Sequence, residues 1–156
     1  MIKPITDFAK QFNASLNWDE RLIVWKENRY FLITGNMKRL LNEDFFYAGT
    51  YLGKVKSEQF FPSFSLLQMI SEQQTNKVYV DRKSAWLFIC GRDIFKRGIV
   101  RAEGAKSEGS CILVLNEFGE CLGFGRLVCG LDREEGAVAV KNISDIGDFL
   151  RREEHR

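Results

Sequence analysis

The chain has 156 residues, and its 23 Lys and Arg against 21 Asp and Glu leave a formal charge of only +2. Hydrophobic residues make up 45% of it, which excludes a disordered or collagen-like chain, and the length allows one compact domain or two small ones but no large multi-layer enzyme. The near-neutral charge argues against a strongly basic nucleic-acid-binding domain, so any basic surface must be local.

The beginning of the chain and its cysteines indicate a compartment. The segment "MIKPITDFAKQF" has no signal-peptide core, and no apolar run approaches the ~20 residues that span a bilayer. The cysteines form no CxxC pair, which disfavours a zinc site. Three of the four lie in apolar, strand-like runs, which favours reduced, buried thiols. We therefore expect a soluble cytoplasmic protein, or a nucleolar one if eukaryotic, with no membrane partner, metal or cofactor. The cysteines are Cys90, Cys111, Cys121 and Cys129.

The first half of the chain predicts an antiparallel sheet with helices. "PITDFAKQFN" places Ile5, Phe8, Ala9 and Phe12 on one helical face, with Pro4 suited to a first turn. "RLIVWKENRYFLI" is typical of a hairpin with a polar turn, and "NMKRLLNEDF" of a brief helix. "YAGTYLGKVKSEQFFPS" has strand spacing, and "SFSLLQMISEQQTN" begins with a helix-capping Ser. We assign residues 1–75 to this unit.

The second half predicts a small barrel, closed or partly closed. The polar segment "EQQTN" marks the boundary, and residues 76–156 then carry short β runs separated by glycine-containing turns. "SDIGDFLRREEHR" predicts a final short helix with a Ser cap. The fold class expected for the whole chain is thus α+β. The predicted strands are "KVYV", "AWLFIC", "GIVRAEG", the hairpin "SCILVLNEFGECLGFGRLV" with its corner at Asn116 to Gly119, and "GAVAVKN".

Nothing in the sequence indicates catalysis. Gly123-Phe124-Gly125 lacks the third glycine and the following helix of a dinucleotide site, so these glycines predict close backbone approach within a strand. His155 is the only histidine and lies one residue from the end, which leaves a nucleophilic triad without a positioned base. The pairs Glu134/Glu135 and Glu153/Glu154 suit a solvated surface. We predict no catalytic residue and no enzyme.

The stretch "CGRDIFKRGIV" is the best candidate for a binding surface. It predicts a helical turn in which Ile94 and Phe95 plug a barrel end and Gly98 stops the turn. Several cations surround this short element and could grip phosphates through charge-assisted hydrogen bonds. An ordinary solvated basic face explains the same residues equally well. The cations are Arg92, Lys96, Arg97 and Arg101, with Arg126 on the neighbouring hairpin.

The order of these elements resembles the PUA domain, a small β-barrel module, over roughly residues 77–150. The resemblance is carried by Gly91, the turn Asp93 to Gly98 and "GFGR". The whole chain is similar to the archaeal and eukaryotic ribosome biogenesis factors called Nip-seven, which join an N-terminal α/β domain to a PUA domain. The segments that carry this similarity are "NRYFLI", "AGTYLGKVKSEQFFPSFSLLQMI", "LGFGRL" and "SDIGDFLRREE".

The resemblance implies a non-catalytic factor, of archaeal type, that binds RNA during maturation of the large ribosomal subunit. Its PUA domain would contact pre-rRNA, in single-stranded regions, and its N-terminal domain would contact ribosome assembly proteins; we expect a monomer. The RNA cleft implied by the family involves Lys96, Arg97, Arg151 and Arg152, flanked by Arg92, Arg101 and Arg126. We expect modest, salt-sensitive affinity.

Two alternatives stay open at this point. The chain could be an accessory subunit of an RNA-modifying enzyme, because PUA modules accompany such enzymes. It could also be a protein-interaction module, since aromatic residues crowd the first half, although placement in the core is the favoured reading for them. These aromatic residues are Phe45, Phe46, Tyr47, Tyr51, Phe60 and Phe61.

Overall fold

The computed structural model of the chain describes residues 2–42, 44–105, 107–132 and 136–153, and it describes no side chain at 149, 150, 152 or 153. The predictions made for His155, for Glu134 and Glu135 and for the Glu153/Glu154 pair therefore lie outside the described part. Within it the predicted fold class is confirmed: an antiparallel sheet with helices is followed by a curled half-barrel.

The first unit is a four-stranded antiparallel sheet, ordered β1-β2-β3-β4, with three helices. Its first helix carries Pro4 in the opening turn, and its apolar face is buried as the spacing predicts. The third helix is capped by Ser63, whose hydroxyl oxygen accepts a hydrogen bond from the Leu66 amide at 3.1 Å. The elements are α1 (Lys3–Lys10), β1 (Ile23–Lys26), β2 (Arg29–Leu32), α2 (Gly35–Leu40), β3 (Thr50–Lys56), β4 (Gln59–Pro62) and α3 (Phe64–Ser71).

The second unit is a six-stranded sheet with the order β6-β10-β9-β8-β5-β7. Only the β5–β8 pair is parallel among the strand pairs described; the others are antiparallel. The elements are β5 (Lys77–Val80), α4 (Arg82–Ile89), β6 (Ile94–Phe95), β7 (Ile99–Glu103), β8 (Cys111–Leu115), β9 (Cys121–Leu127), β10 (Val138–Asp145) and α5 (Ile146–Glu153).

The prediction of a strand at "AWLFIC" is wrong, because this segment lies in helix α4. The carboxylate of Asp81 caps the helix by accepting a hydrogen bond from the Ser84 amide at 2.7 Å. Phe88 is buried in the barrel interior while Trp86 is 65% exposed. A short apolar run is compatible with a strand or a helix, and here the Asp81 cap and the barrel end that the helix covers favour the helix.

The two sheets share one apolar core. Phe8 of α1 and Phe12, just after it, pack edge-to-face on Phe124 of β9, with ring centroids 5.5 and 5.6 Å apart. Leu113 and Leu115 of β8 lie in the same cluster. The opposite face of the second sheet forms a separate cluster inside the half-barrel. The half-barrel is therefore packed on both faces, and its outer face is covered by the first unit.

The predicted boundary at residues 72–76 ends in two buried polar residues, Thr75 and Asn76. The Asn76 amide donates to the Phe12 carbonyl at 2.9 Å, and its side-chain oxygen accepts from the Ala105 amide at 2.8 Å. The buried ammonium of Lys77 donates to the carbonyls of Ser71 at 2.6 Å and Gln73 at 2.9 Å, at the carboxyl end of α3. A division into 1–75 and 76–156 stays a prediction, but these bonds fix the two units to each other.

The glycines of the second sheet and three of the four cysteines behave as the sequence predicts. Gly123 has φ +147, and a Cβ there would overlap the backbone of Ser144 and Asp145, so β10 can pass close to β9. Gly119 has φ +80 at the hairpin corner. All four cysteines are free; Cys90 is exposed and the other three are buried.

Candidate nucleic-acid interface

The site is built where the two edges of the second sheet meet. β6 and β7 are the outermost strands of the order, yet only the 3-10 turn Lys96–Gly98 joins them. A flat sheet of six strands would separate its edges by roughly 24 Å, whereas this connection can span roughly 13 Å. The sheet must therefore curl into a half-barrel, and the turn lies at the seam between its edges.

Backbone hydrogen bonds hold the turn on both sides of the seam. The Lys96 amide donates to the Ala137 carbonyl at 2.9 Å, next to β10, and the Asp81 amide donates to the Gly98 carbonyl at 2.9 Å, next to β5. Ile94 is buried inside the half-barrel, as expected, but Phe95 is 39% exposed and does not fill the barrel end. The predicted helical turn is thus one short 3-10 turn preceded by a strand.

A cleft of about 640 Å³ opens beside this turn. Lys96 and Arg101 contribute cations to it, and Asp132 is the carboxylate among its described lining residues. Ile99, Val100 and Leu131 supply apolar surface, which suits a sugar or a base while the cations attract phosphate. The remaining lining residues are Ala102, Ser107 and Gly130.

Arg101 is held in place by an aromatic ring. Its guanidinium carbon lies 3.9 Å from the centroid of Tyr79, its cross-strand partner on β5, which orients the planar group. The group also forms an ion pair with Glu103 at 3.6 Å. Because Arg101 is 60% exposed in its side chain, this pair is weak and leaves the cation accessible to a polyanion.

Arg97 lies on the outside of the same turn. It is exposed, and its guanidinium carbon lies 5.3 Å from the centroid of Phe95. An arginine over an exposed ring presents both a charge and a flat surface, a combination that suits single-stranded nucleic acid. Lys96, Arg97 and Arg101 therefore belong to one region, the seam.

Arg151 and Arg92 lie at a different corner, where α4 ends and α5 begins. Arg151 donates through Nη1 to the Ile89 carbonyl at 2.9 Å, and its Nη2 lies 3.4 Å from the buried carboxylate of Asp145. Asn142 donates to the carbonyls of Phe88 at 2.9 Å and Arg92 at 3.4 Å. These bonds satisfy the carboxyl end of α4, so Arg151 has a structural role at this corner.

The cap of α5 differs from the prediction. Asp145 rather than Ser144 accepts the capping hydrogen bond, from the Asp148 amide at 2.8 Å. The backbone of Arg152 lies in α5, but its side chain lies outside the described part, so its predicted RNA contact stays a prediction.

Arg126 is separate from both groups. It lies on the outer face of β9 opposite Lys141 of β10, and its Nη1 donates to the Gly109 carbonyl at 2.8 Å. It is not among the described residues that line the cleft. Of the seven predicted cations, the structure thus groups three at the seam and places Arg92, Arg126 and Arg151 elsewhere.

Sequence reasoning missed the wall formed by Val100, Leu131 and Asp132, and it missed the support of Arg101 by Tyr79. The alternation in "KVYV" was an available signal, because it places Tyr79 on the face opposite to Val78 and Val80. The wall had no comparable signal, because residues 130–132 lie in the loop after β9, where the sequence has no helix or strand period.

Two further findings concern the described residues only. No helix among them combines the length and apolar character that a bilayer crossing demands. They also contain no group of three or more His, Cys, Asp or Glu side chains placed to hold a metal ion.

The curled sheet with its seam cleft, packed on a smaller α/β unit, defines a PUA-domain protein. Residues 76–154, which are more than half of the chain, match the family described as UPF0113 PUA domain. The chain belongs to this family. A PUA domain supports an RNA-binding function.

A relative and two solved structures agree with this assignment. A UPF0113 protein of Archaeoglobus fulgidus is 34% identical over 109 residues, which are 67% of this chain and 62% of the relative, so the match spans less than two thirds of that relative's length. A conserved PUA domain protein from Thermoplasma acidophilum matches with a TM-score of 0.62 at 18% identity, over 97% of this chain and 92% of that one. A PUA domain from Aeropyrum pernix K1 also gives 0.62, at 16% identity, over 99% and 86%. These structures support the fold.

Proposed function

We propose that the protein is a non-catalytic RNA-binding factor that acts in maturation of the large ribosomal subunit. The observation that carries the proposal is the cleft at the seam, where Lys96 and Arg101 stand over apolar surface in a PUA domain. The resemblance to the Nip-seven factors supports the ribosomal role. The protein would act where ribosomes assemble, in the cytoplasm or, in a eukaryote, in the nucleolus, as a monomer beside other assembly proteins.

The cleft would bind the backbone of RNA first and its bases only weakly. Arg101, oriented by Tyr79, and Lys96 would contact phosphate oxygens, while Arg97 would present its flat group to an unpaired base. Asp132, which also lines the cleft, repels phosphate and so limits where the strand can pass. With about two phosphate contacts at the seam, binding would be modest and would weaken with salt.

Binding at the seam can be tested with a double variant, Arg97→Gln/Arg101→Gln, in the full-length protein. Each phosphate contact to single-stranded RNA changes the slope of log K against log salt by about 0.7, so loss of the Arg101 contact should make the slope shallower by about 0.7, and loss of the Arg97 base contact should lower the affinity further. The matched control is Arg39→Gln/Arg82→Gln, which removes two exposed arginines that do not line the cleft. An unchanged slope in the double variant together with unchanged affinity would remove the seam from the RNA site.

The ribosomal role needs a separate experiment in cells. RNA that is crosslinked to the wild-type protein and sequenced should be enriched in precursor rRNA of the large subunit, and the seam variant should lose this enrichment. Enrichment of transfer RNA alone would contradict the proposal. Mass spectrometry of nucleosides after incubation with RNA tests the non-catalytic part, because a modified nucleoside would indicate an enzyme or its subunit.

A further inference from the structure

The first sheet has an outward face that the seam does not use. Ile23 and Tyr30 point to the shared core, so the alternate positions of the same strands point away from the second unit. On that face Lys26 of β1 lies opposite Arg29 of β2, and Arg29 lies opposite Lys54 of β3. Lys54 in turn lies opposite Phe61 of β4, so the row crosses all four strands. Three cations therefore form one row across the sheet, at strand spacings of about 4.8 Å.

The strand positions of this face carry charges of one sign. The positions that point outward hold four cations, Lys26, Arg29, Lys54 and Lys56, and no carboxylate. The acidic residues of these hairpins, Glu27 and Glu58, lie in the turns at the end of the sheet, and the Glu27 carboxylate forms an ion pair with Arg29 at 3.2 Å, while Lys54 and Lys56 are exposed. A face of this kind attracts a polyanion.

Aromatic rings lie directly beside the cations. Phe31 is buried at the centre of this group, with ring centroids of Phe45, Tyr47 and Tyr51 at 5.9, 5.1 and 5.7 Å. Arg29 lies over Phe46, with 4.6 Å between the guanidinium carbon and the ring centroid. Phe46 is nevertheless 76% exposed and Tyr47 59% exposed. Exposed rings that also contact neighbouring side chains in the protein are suited to stack with unpaired bases.

We propose that this face, made of the cation row with Phe46 and Tyr47, binds single-stranded RNA. The cations would contact successive phosphates while the two rings stack with bases, as is general for sequence-tolerant binding of single strands. A duplex keeps its bases stacked inside and cannot use the rings. A protein partner is disfavoured by the charged side chains at these strand positions, since charged residues are depleted at the core of protein interfaces. The face goes beyond the function proposed above, because it lies on the first unit and does not need the seam cleft.

The test measures binding of a fluorescein-labelled single-stranded RNA of about ten nucleotides, and of a duplex of the same length, to the full-length protein. Phe46→Ala should weaken single-strand affinity by at least about fivefold, because a stacked base contributes on the order of 1–3 kcal/mol. Its matched control is Phe118→Ala, which removes a ring that is 79% exposed on the β8–β9 hairpin. Duplex affinity should not change in either variant.

The charge contribution is tested with Lys54→Gln/Lys56→Gln, which should make the salt slope for the single strand shallower by about 1.4. Lys10→Gln/Lys83→Gln, at exposed positions on α1 and α4, is the matched control. Equal losses of RNA affinity in the test and control variants, or no loss in any of them, would overturn the proposal. A protein partner that binds this face, while RNA affinity does not depend on the face, would also overturn it.

Combining these changes with Arg97→Gln/Arg101→Gln separates the two RNA sites. If only the seam variant weakens binding, the proposal for the outward face is wrong and the proposed function stands. If only the face variants weaken binding, the face is supported and the seam is wrong. Independent sites would give losses that add in free energy.

Discussion

Arg101 and Arg151 carry the same charge but have different surroundings. The Arg101 guanidinium lies on Tyr79 at the rim of an open cleft, with one weak ion pair. The Arg151 guanidinium donates to the Ile89 carbonyl and lies beside the buried Asp145 carboxylate. Sequence alone could not separate these roles, because the partner of Arg151 is a backbone carbonyl 62 positions away.

The role of Arg151 can be measured through stability. Arg151→Ala should lower the free energy of unfolding by about 1 kcal/mol, the usual net value of a lost hydrogen bond, because the Ile89 carbonyl and Asp145 lose a donor. Urea denaturation measures this change, with Arg82→Ala as the control at an exposed position. An RNA titration of the same variant at low salt shows whether Arg151 also contacts RNA; a loss of affinity without a loss of stability would contradict the structural role.

Cys121 gives a prediction that depends on pH. Burial raises the pKa of its thiol to about 12 from the usual 9.0, since a thiolate is poorly solvated in the core. Cys90 is exposed. At about pH 8, iodoacetamide should therefore modify Cys90 in the native protein and leave Cys121 intact. Peptide mass spectrometry measures both sites, and equal labelling before unfolding would contradict this burial.

The same pKa sets a trend in stability. Below pH 9.0 the Cys121 thiol is protonated in both states, so its contribution is fully present. Above pH 9.0 only the unfolded state releases the proton, so stability falls by up to about 1.4 kcal/mol per pH unit until the native pKa of about 12. The variant Cys121→Ser should show a smaller decline over this range than the wild type, and an identical decline would show that other groups cause it.

Among the secondary-structure elements, those with a clear period or cap were predictable. The buried apolar residues of α1, Ile5, Phe8 and Ala9, recur at helical spacing, and the Asn116 to Gly119 corner has the glycine that its φ of +80 requires. Helix α4 was not predictable as a helix from "AWLFIC", because six apolar residues in a row show neither period. The informative residue was Asp81, three positions before the amide of Ser84 that it caps.

The cap of α4 can be tested by substitution. Asp81→Ala should reduce the free energy of unfolding by about 1 kcal/mol, because the Ser84 amide loses its acceptor. Asp81→Asn keeps an acceptor oxygen at the same position and should lose much less. Chemical denaturation of both variants measures the difference, and equal losses would show that the negative charge of Asp81 matters more than the hydrogen bond.

The sequence predicted which cations belong to the candidate site, but it could not predict how they are arranged in space. "GRDIFKRGIVR" supplies the cations of the seam in eleven residues. Their grouping with residues 130–132, however, follows from the curl of a sheet whose strand order is not the chain order. The outward face of the first sheet depends in the same way on the registers of three strand pairs.

At the scale of the whole molecule, the shared core predicts that both units unfold together. Phe124→Ala removes the ring between Phe8 and Phe12 and should cost about 3–5 kcal/mol. Tryptophan fluorescence can follow each unit: Trp18 and Trp25 precede the junction, and Trp86 lies on α4. A variant that keeps only Trp18 and Trp25 and a variant that keeps only Trp86 should give the same denaturation midpoint. The two midpoints should also agree when Phe124→Ala is added to both variants. Two distinct midpoints would show that the units unfold independently.

The short connection between β6 and β7 also affects how the protein behaves when it is concentrated. Unpaired strand edges are templates for aggregation, and natural proteins cover or shorten them. The second sheet brings its two edge strands to one seam, and one of them, β6, is only two residues long. The first sheet ends instead in β1 and β4, each four residues long, the latter closing with Pro62. If the protein associates edge to edge on storage, we expect the contact to form through the first sheet, along β1.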